Sequence, residues 1–308
     1  MYFPYFRGRQ YELLALKEIA AHNLINNNVV PVIEPVKLIP ALNNALAAFN
    51  AANLTLGLIL NPNVGDLSDE PETIENLLEI LFLNKNIIPS VLMNESTEEV
   101  MCKLQNNAIT NDKLLVVLND HDYIDTYRTT FTSLPKYTLC PDDGSIRRAA
   151  GKNKVVFENK FKKRSRNADY PQDEFFSDAH LYYESDNYIG FGDYSIIGDE
   201  YIESGFAPYA VAIHIVYFDR NQNLRIRHFV SDSNEDVSDV AGKFYEAVTK
   251  LDKWYNDNNM QSQQTKGLKT LLAHYTNRTY PGLPTLKKLS IMHHLELLNK
   301  YLDRSLKI

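Results

Sequence analysis

The sequence predicts an α/β fold, an irregular (β/α)8 barrel of the TIM type with an extra hairpin and helices at its C-terminal end. Three observations carry the prediction. About eight short apolar runs alternate with segments of helical period, the pattern of βαβ units around a parallel sheet. Most of those runs end in an acidic or amide residue, as strands do when their C-terminal ends open onto one face. Within them, small or polar residues alternate with large apolar ones. In TLGLIL, residues 55–60, Leu56, Leu58 and Leu60 share one face and Gly57 and Ile59 the other. An open, doubly wound sheet is the competing arrangement, because it also puts polar residues at strand ends.

In order along the chain, residues 10–26 space Leu13, Leu14, Ile19 and Leu24 as a helix. VVPVIEPVK, 29–37, is a strand that runs into Glu34 between Pro31 and Pro35. Pro40 opens a helix over 40–52. TLGLIL ends in Asn61, and an acidic-start helix follows at 70–83. NIIPSVLM, 86–93, ends in Asn94, and KLLVVL, 113–118, ends in Asn119 and Asp120. YTLC, 137–140, leads to Asp142, KVVF, 154–157, to Glu158, and YIGFG, 188–192, to Asp193. AVAIHIVYF, 210–218, takes the eighth strand position with His214 inside it, and DRNQN then turns it into a hairpin with LRIRHFV. Some thirty residues between KVVF and YIGFG have no helical period, which marks a functional loop or a misassigned element. Helices at 236–257 and 285–303 close the chain, so residues 1–308 read as a single barrel-like domain with a C-terminal helical extension from about residue 236. In the second of these helices His293 and His294 point about 100° apart, which predicts one buried and one exposed.

Composition narrows the function. Apolar residues make up 44% and charged residues 23%, ordinary for a globular protein, and the net charge of −7 excludes a protein that is basic as a whole. Cys102 and Cys140 lie in no metal-ligand or disulfide pattern and fit a reducing cytoplasm. The N-terminus lacks the apolar core of a signal peptide, and no run reaches membrane-span length, so a cytoplasmic location is expected.

The strand-end groups Glu34, Asn61, Asn94, Asp120, Asp142, Glu158, Asp193 and His214 converge if the sheet closes. Paired carboxylates bind Mg²⁺ or Mn²⁺ through oxygen, with Glu34 and Glu158 as the candidate ligands, or divide acid and base roles, with Glu34, Asp120, Glu158, Asp193 and His214 as the candidates. The alternative is that they only cap backbone groups. ENKFKKRSRNADYP, 158–171, concentrates Lys160, Lys162, Lys163, Arg164 and Arg166, a run suited to phosphate, nucleic acid or an acidic partner, or else a solvated loop. GFGDYSIIGDEYIESG, 190–205, holds Gly190, Gly192, Gly198 and Gly205 without the spacing of a nucleotide loop, and reads as a tight turn with Asp193 at its tip.

YFPYFRGRQYELLAL followed by VVPVIEPVK is similar to the opening of the phage-type beta protein family, in which a tyrosine and proline, a basic residue, a Gln or Gly before Glu and an Ala-Leu pair lead to a strand of proline, isoleucine and glutamate. Tyr2, Pro4, Arg7, Arg9, Glu12 and Glu34 occupy that pattern, although Arg-Gly-Arg-Gln stands where many relatives are lysine-rich. NPNVGD, FFSD, GFGDYSIIGD and AVAIHIVYF resemble a bacterial branch, and the similarity spans most of the chain. The resemblance implies carriage by phages and mobile elements, a role in phage defence or counter-defence, and for some members a nuclease-like neighbour; it implies no catalytic residues.

Two functions follow as expectations. The first is a barrel that binds a phosphate-bearing ligand, a nucleotide or nucleic acid among the candidates, with Arg7, Arg9, Lys37, Asn61, Lys160, Arg164 and Arg166 holding it and metal-dependent phosphoester hydrolysis as the reaction. The second is a non-enzymatic sensor or immunity protein acting with a nuclease-like partner.

Overall fold

The computed structural model describes residues 1–203 and 208–305. Its strands, in chain order, are β1 (Tyr2–Phe6), β2 (Val32–Ile33), β3 (Leu56–Ile59), β4 (Ile87–Leu92), β5 (Leu115–Val117), β6 (Tyr137–Cys140), β7 (Lys154–Glu158), β8 (Asp173–Ser177), β9 (Gly190–Asp193), β10 (Ala212–Phe218) and β11 (Leu224–Val230). Among the described residues β1 to β7 and β9 form a closed parallel barrel in the order β1-β2-β3-β4-β5-β6-β7-β9. Closure settles the choice against the open sheet.

Helices α1 (Gln10–Ala21), α2 (Pro40–Ala51), α3 (Thr73–Leu83), α4 (Thr97–Asn106), α5 (Ile124–Thr130) and α6 (Gly144–Ala150) fill the first six crossovers. Each turns apolar residues to the sheet; α2 starts on Pro40 and buries Leu42, Ala45, Leu46 and Phe49. The last crossover holds β8 and the short helix α7 (Ala179–Tyr182). A second sheet of order β10-β11-β8 is antiparallel, and α8 (Val240–Asp257), α9 (Lys266–Thr276) and α10 (Leu283–Leu302) complete the chain. Helix α10 packs on α1, α9 and β10, so the barrel, the second sheet and the C-terminal helices share one apolar core. No helix among the described residues is long and apolar enough to cross a membrane.

The structure corrects the expected strand list at two places. The first barrel strand is Tyr2–Phe6, and AVAIHIVYF belongs to the second sheet. The cause is the DRNQN turn: Asp219 accepts hydrogen bonds from the Asn221 N–H at 2.8 Å and the Asn223 N–H at 3.0 Å, which commits β10 to an antiparallel partner. His214 therefore faces His228 across the hairpin and takes no place in the barrel ring. The stretch without helical period supplies β8, the third strand of that sheet.

Barrel closure depends on the seam between β1 and β9, where Phe3 pairs with Gly192 and Pro4 with Asp193. A Cβ on Gly192 would stand 2.5 Å from the Phe3 carbonyl oxygen, so glycine is required there by proximity. Gly192→Ala is expected to destabilise the fold by about 1–3 kcal/mol through overpacking of the seam, read as a lower urea midpoint. An unchanged midpoint would mean that the seam yields without cost. Gly205 of the glycine-rich stretch lies outside the described residues.

Candidate functional site

All the parallel strands of the barrel deliver their C-terminal ends to one face. There β1, β3, β4, β5 and β9, with the segments that follow them, line a cavity of about 600 Å³. Its walls are Tyr5 and Arg7 from β1, Pro62, Asn63, Val64, Ser68 and Asp69 after β3, Leu92 to Ser96 after β4, Val117, Asn119, Asp120 and Tyr123 after β5, and Tyr194 after β9.

Glu34 lies beneath this cavity, fully buried. Its Oε1 accepts the Asn63 N–H at 2.7 Å. Its Oε2 accepts the Tyr5 hydroxyl at 2.6 Å and pairs with the Arg7 guanidinium. Burial holds the Tyr5 phenol well above its usual range against the opposing charge of Arg7, so the hydroxyl keeps its proton and donates. Arg7 also donates to the Asp199 carbonyl at 2.8 Å and lies over the rings of Tyr5 and Tyr194, 5.4 and 5.6 Å from their centroids. Its Nε–H is buried without a partner among the described residues.

Asn61 and Asn94 tie the ends of β3 and β4 together. Asn61 donates to the Leu92 carbonyl at 2.7 Å and to Asn94 Oδ1 at 2.8 Å, and accepts the Leu92 N–H at 3.0 Å. Asp120 caps the turn after β5 by accepting the Asp122 N–H at 3.0 Å. Gly65, at φ 84°, turns the loop after β3 against Val36, where a Cβ would meet the Val36 side chain at 2.5 Å.

The structure thus brings Arg7, Asn94 and Asp120 to the cavity wall, with Glu34 and Asn61 supporting them, and leaves the other expected groups elsewhere. Asp193 is buried and accepts the Tyr2 hydroxyl and the Ser195 N–H, both at 2.7 Å; burial lifts its carboxyl to about 6. Glu158 pairs with Lys160, and Asp142 accepts the Tyr188 hydroxyl at 2.7 Å. Lys37 pairs with Asp66 and Glu203, Lys163 with Glu200, Arg164 with Glu174 and Arg166 with Asp169. Arg9 donates to the Ile202 carbonyl and lies over Tyr201. Two cations of the basic run are thus matched by carboxylates from other segments and two by neighbours within the run, and none of the run lines the mouth.

The expected Mg²⁺ or Mn²⁺ site does not fit these residues. Among the described residues no group of three or more His, Cys, Asp and Glu side chains converges as metal ligands. Both oxygens of Glu34 already accept hydrogen bonds, and Glu158 is held by Lys160. The sequence reading placed Asn119 at a strand end without making it a site residue, and it missed Tyr5, Asn63, Asp69, Glu95, Tyr123 and Tyr194; Asn63, Glu95 and Tyr194 had a signal in their closeness to the strand ends Asn61, Asn94 and Asp193, whereas Tyr5, Asp69 and Tyr123 had none.

The wall chemistry is that of a polar receptor. It has one guanidinium, itself matched by Glu34, and three exposed carboxylates, Asp69, Glu95 and Asp120. Amides of Asn63, Asn94 and Asn119 supply donors and acceptors, and the tyrosines supply flat faces.

No protein-family model matches the chain, and no curated protein matches it.

Proposed function

We propose that this chain is a ligand-binding barrel protein whose mouth holds a small, hydroxyl- and amide-rich molecule without net negative charge, of nucleoside or disaccharide size. The observation that carries the reading is the charge pattern of the cavity: one neutralised guanidinium faces three carboxylates among amides and tyrosines. An anionic ligand meets net repulsion there, whereas a neutral or amine-bearing one finds partners for its polar groups. The volume lies within the roughly 300–1,000 Å³ of small-molecule sites. The ring acids are engaged with neighbouring groups, which favours a sensor over a hydrolase. A nuclease-like partner is what the sequence resemblance implies, a nucleic-acid partner what the basic run suggests, and a cytoplasmic setting what the cysteine usage and the N-terminus suggest.

A phosphate-bearing ligand is the second reading, favoured by the buried, unpartnered Nε–H of Arg7. Thermal shifts with nucleosides and disaccharides, each beside its phosphorylated counterpart, separate the two. The uncharged member of a pair is expected to raise Tm more than its phosphate. Larger shifts from the phosphates, lost in Arg7→Met, would establish the second reading.

A further inference from the structure

A smaller cavity of about 240 Å³ lies between the barrel face and the second sheet. Phe161 after β7, Ile196 after β9 and Leu286 of α10 give it apolar walls, and His214, Ser290 and Lys287 add polar groups. We propose that this cleft is a second ligand site, for a small carboxylate with an apolar body, and that the Lys287 ammonium is its counter-charge.

The argument begins with the lysines of α10. Lys288 pairs with Glu18 and Lys300 with Glu296, each in contact, while Lys287 has no such partner among the described residues. Lys287 is half-buried at the wall of the cleft, where a ligand carboxylate can reach an ammonium that makes no direct ion pair among the described residues. Glu12 of α1 is the strongest charge acting on the amine; Arg9 and Lys163 act against it, and Lys163 is itself matched by Glu200. Burial, with those two cations, holds the amine below the usual lysine range against the pull of Glu12. Leu286 and Lys287 belong to the first turns of α10, whose helix dipole adds positive potential at that end. His214 is held neutral by burial and by His228 and Lys287, and its Nδ1 is shared with His228 Nδ1 at 2.7 Å, so Nε2 is the nitrogen left for a ligand. The apolar walls suit a hydrocarbon chain better than a sugar or a second charge.

Octanoate, with octanamide as its uncharged match, tests the proposal by calorimetric titration. Octanoate should bind the wild-type chain at least tenfold more tightly than octanamide. At alkaline pH its binding should take up protons, because a carboxylate beside the amine favours the protonated form. Lys287→Met, which keeps the length and drops the charge, should abolish the uptake and weaken octanoate at least tenfold, with Tm unchanged or raised. Ala212→Leu, which fills the cleft from β10, should weaken it as much and serves if the first variant does not fold. Failure of octanoate to bind, equal binding of octanamide, or wild-type affinity in Lys287→Met would overturn the proposal.

Discussion

Glu34→Ala is expected to lower folding stability by about 3–5 kcal/mol, the cost of removing one partner from a buried ion pair. The substitution leaves the Arg7 guanidinium, the Tyr5 hydroxyl and the Asn63 N–H facing an emptied site. Glu34→Gln should lie between the two, since an amide oxygen still accepts but the charge is gone. The double variant Arg7→Met/Glu34→Leu should recover much of the loss, because an apolar pair of similar volume avoids both desolvation costs. Urea unfolding of the four chains at neutral pH reads the comparison. A loss of under about 1 kcal/mol in Glu34→Ala would mean that water replaces the carboxylate and that the pair does not organise the mouth.

Acidification is expected to cost a comparable amount. His293 and His294 of α10 are both buried, and burial drives their imidazoles down to about 4 and about 3. The unfolded chain binds protons at both below about 6.5, while the folded chain does not, so this stability is full above 6.5 and is lost as pH falls. Asp193 acts in the opposite sense. Its carboxyl, lifted by burial to about 6, is protonated in the fold before it is in the unfolded chain, so it adds stability as pH falls from about 6 toward the ordinary aspartate value. Between pH 7 and pH 5 the two histidines remove about 4 kcal/mol and Asp193 returns about 1, a net loss of roughly 3 kcal/mol. His180, His214 and His228, also held low by burial, add to the loss. His294 has a physical reason to resist protonation: Nδ1 meets Ser195 Oγ at 2.9 Å, and Nε2 is buried without a partner among the described residues. Urea unfolding at pH 7, 6 and 5 should show the decline, and His293→Gln should flatten it by about 2 kcal/mol. Stability that is level or rising toward pH 5 would contradict it.

The barrel was legible because parallel strands buried on both faces must end in polar residues where they emerge. Glu34, Asn61, Asn94 and Asp120 were found in this way, although Glu34 and Asn61 support the cavity and do not line it. The first strand was not legible. YFPYF is buried throughout and so has no alternation, and Pro4 argues against a strand with neighbours on both sides. Pro4 offers no N–H, and the ladder to β2 holds only the pairs Tyr5 with Val32 and Phe6 with Ile33, beside an isolated bridge of Tyr2 to Val29. The strand character of AVAIHIVYF was readable, but its partner was not, because pairing depends on residues distant in sequence. For the same reason the run from Lys160 to Arg166 resembled a phosphate loop: Glu200 and Glu174, which neutralise two of its cations, lie well downstream. The expectation that one of His293 and His294 is exposed failed because α10 is covered on more than one side, by α1, α9 and β10.

The mouth as a receptor for an uncharged polar molecule is tested most directly by a crystal structure determined after soaking with a mixture of nucleosides, disaccharides and nucleoside monophosphates. The expected result is density for an uncharged member between Asn63, Asn94, Asn119 and Tyr194, with Arg7 still paired to Glu34. A phosphate seated on Arg7 with Glu34 displaced, or an empty mouth with phosphate held by Lys160 and Arg164, would contradict it.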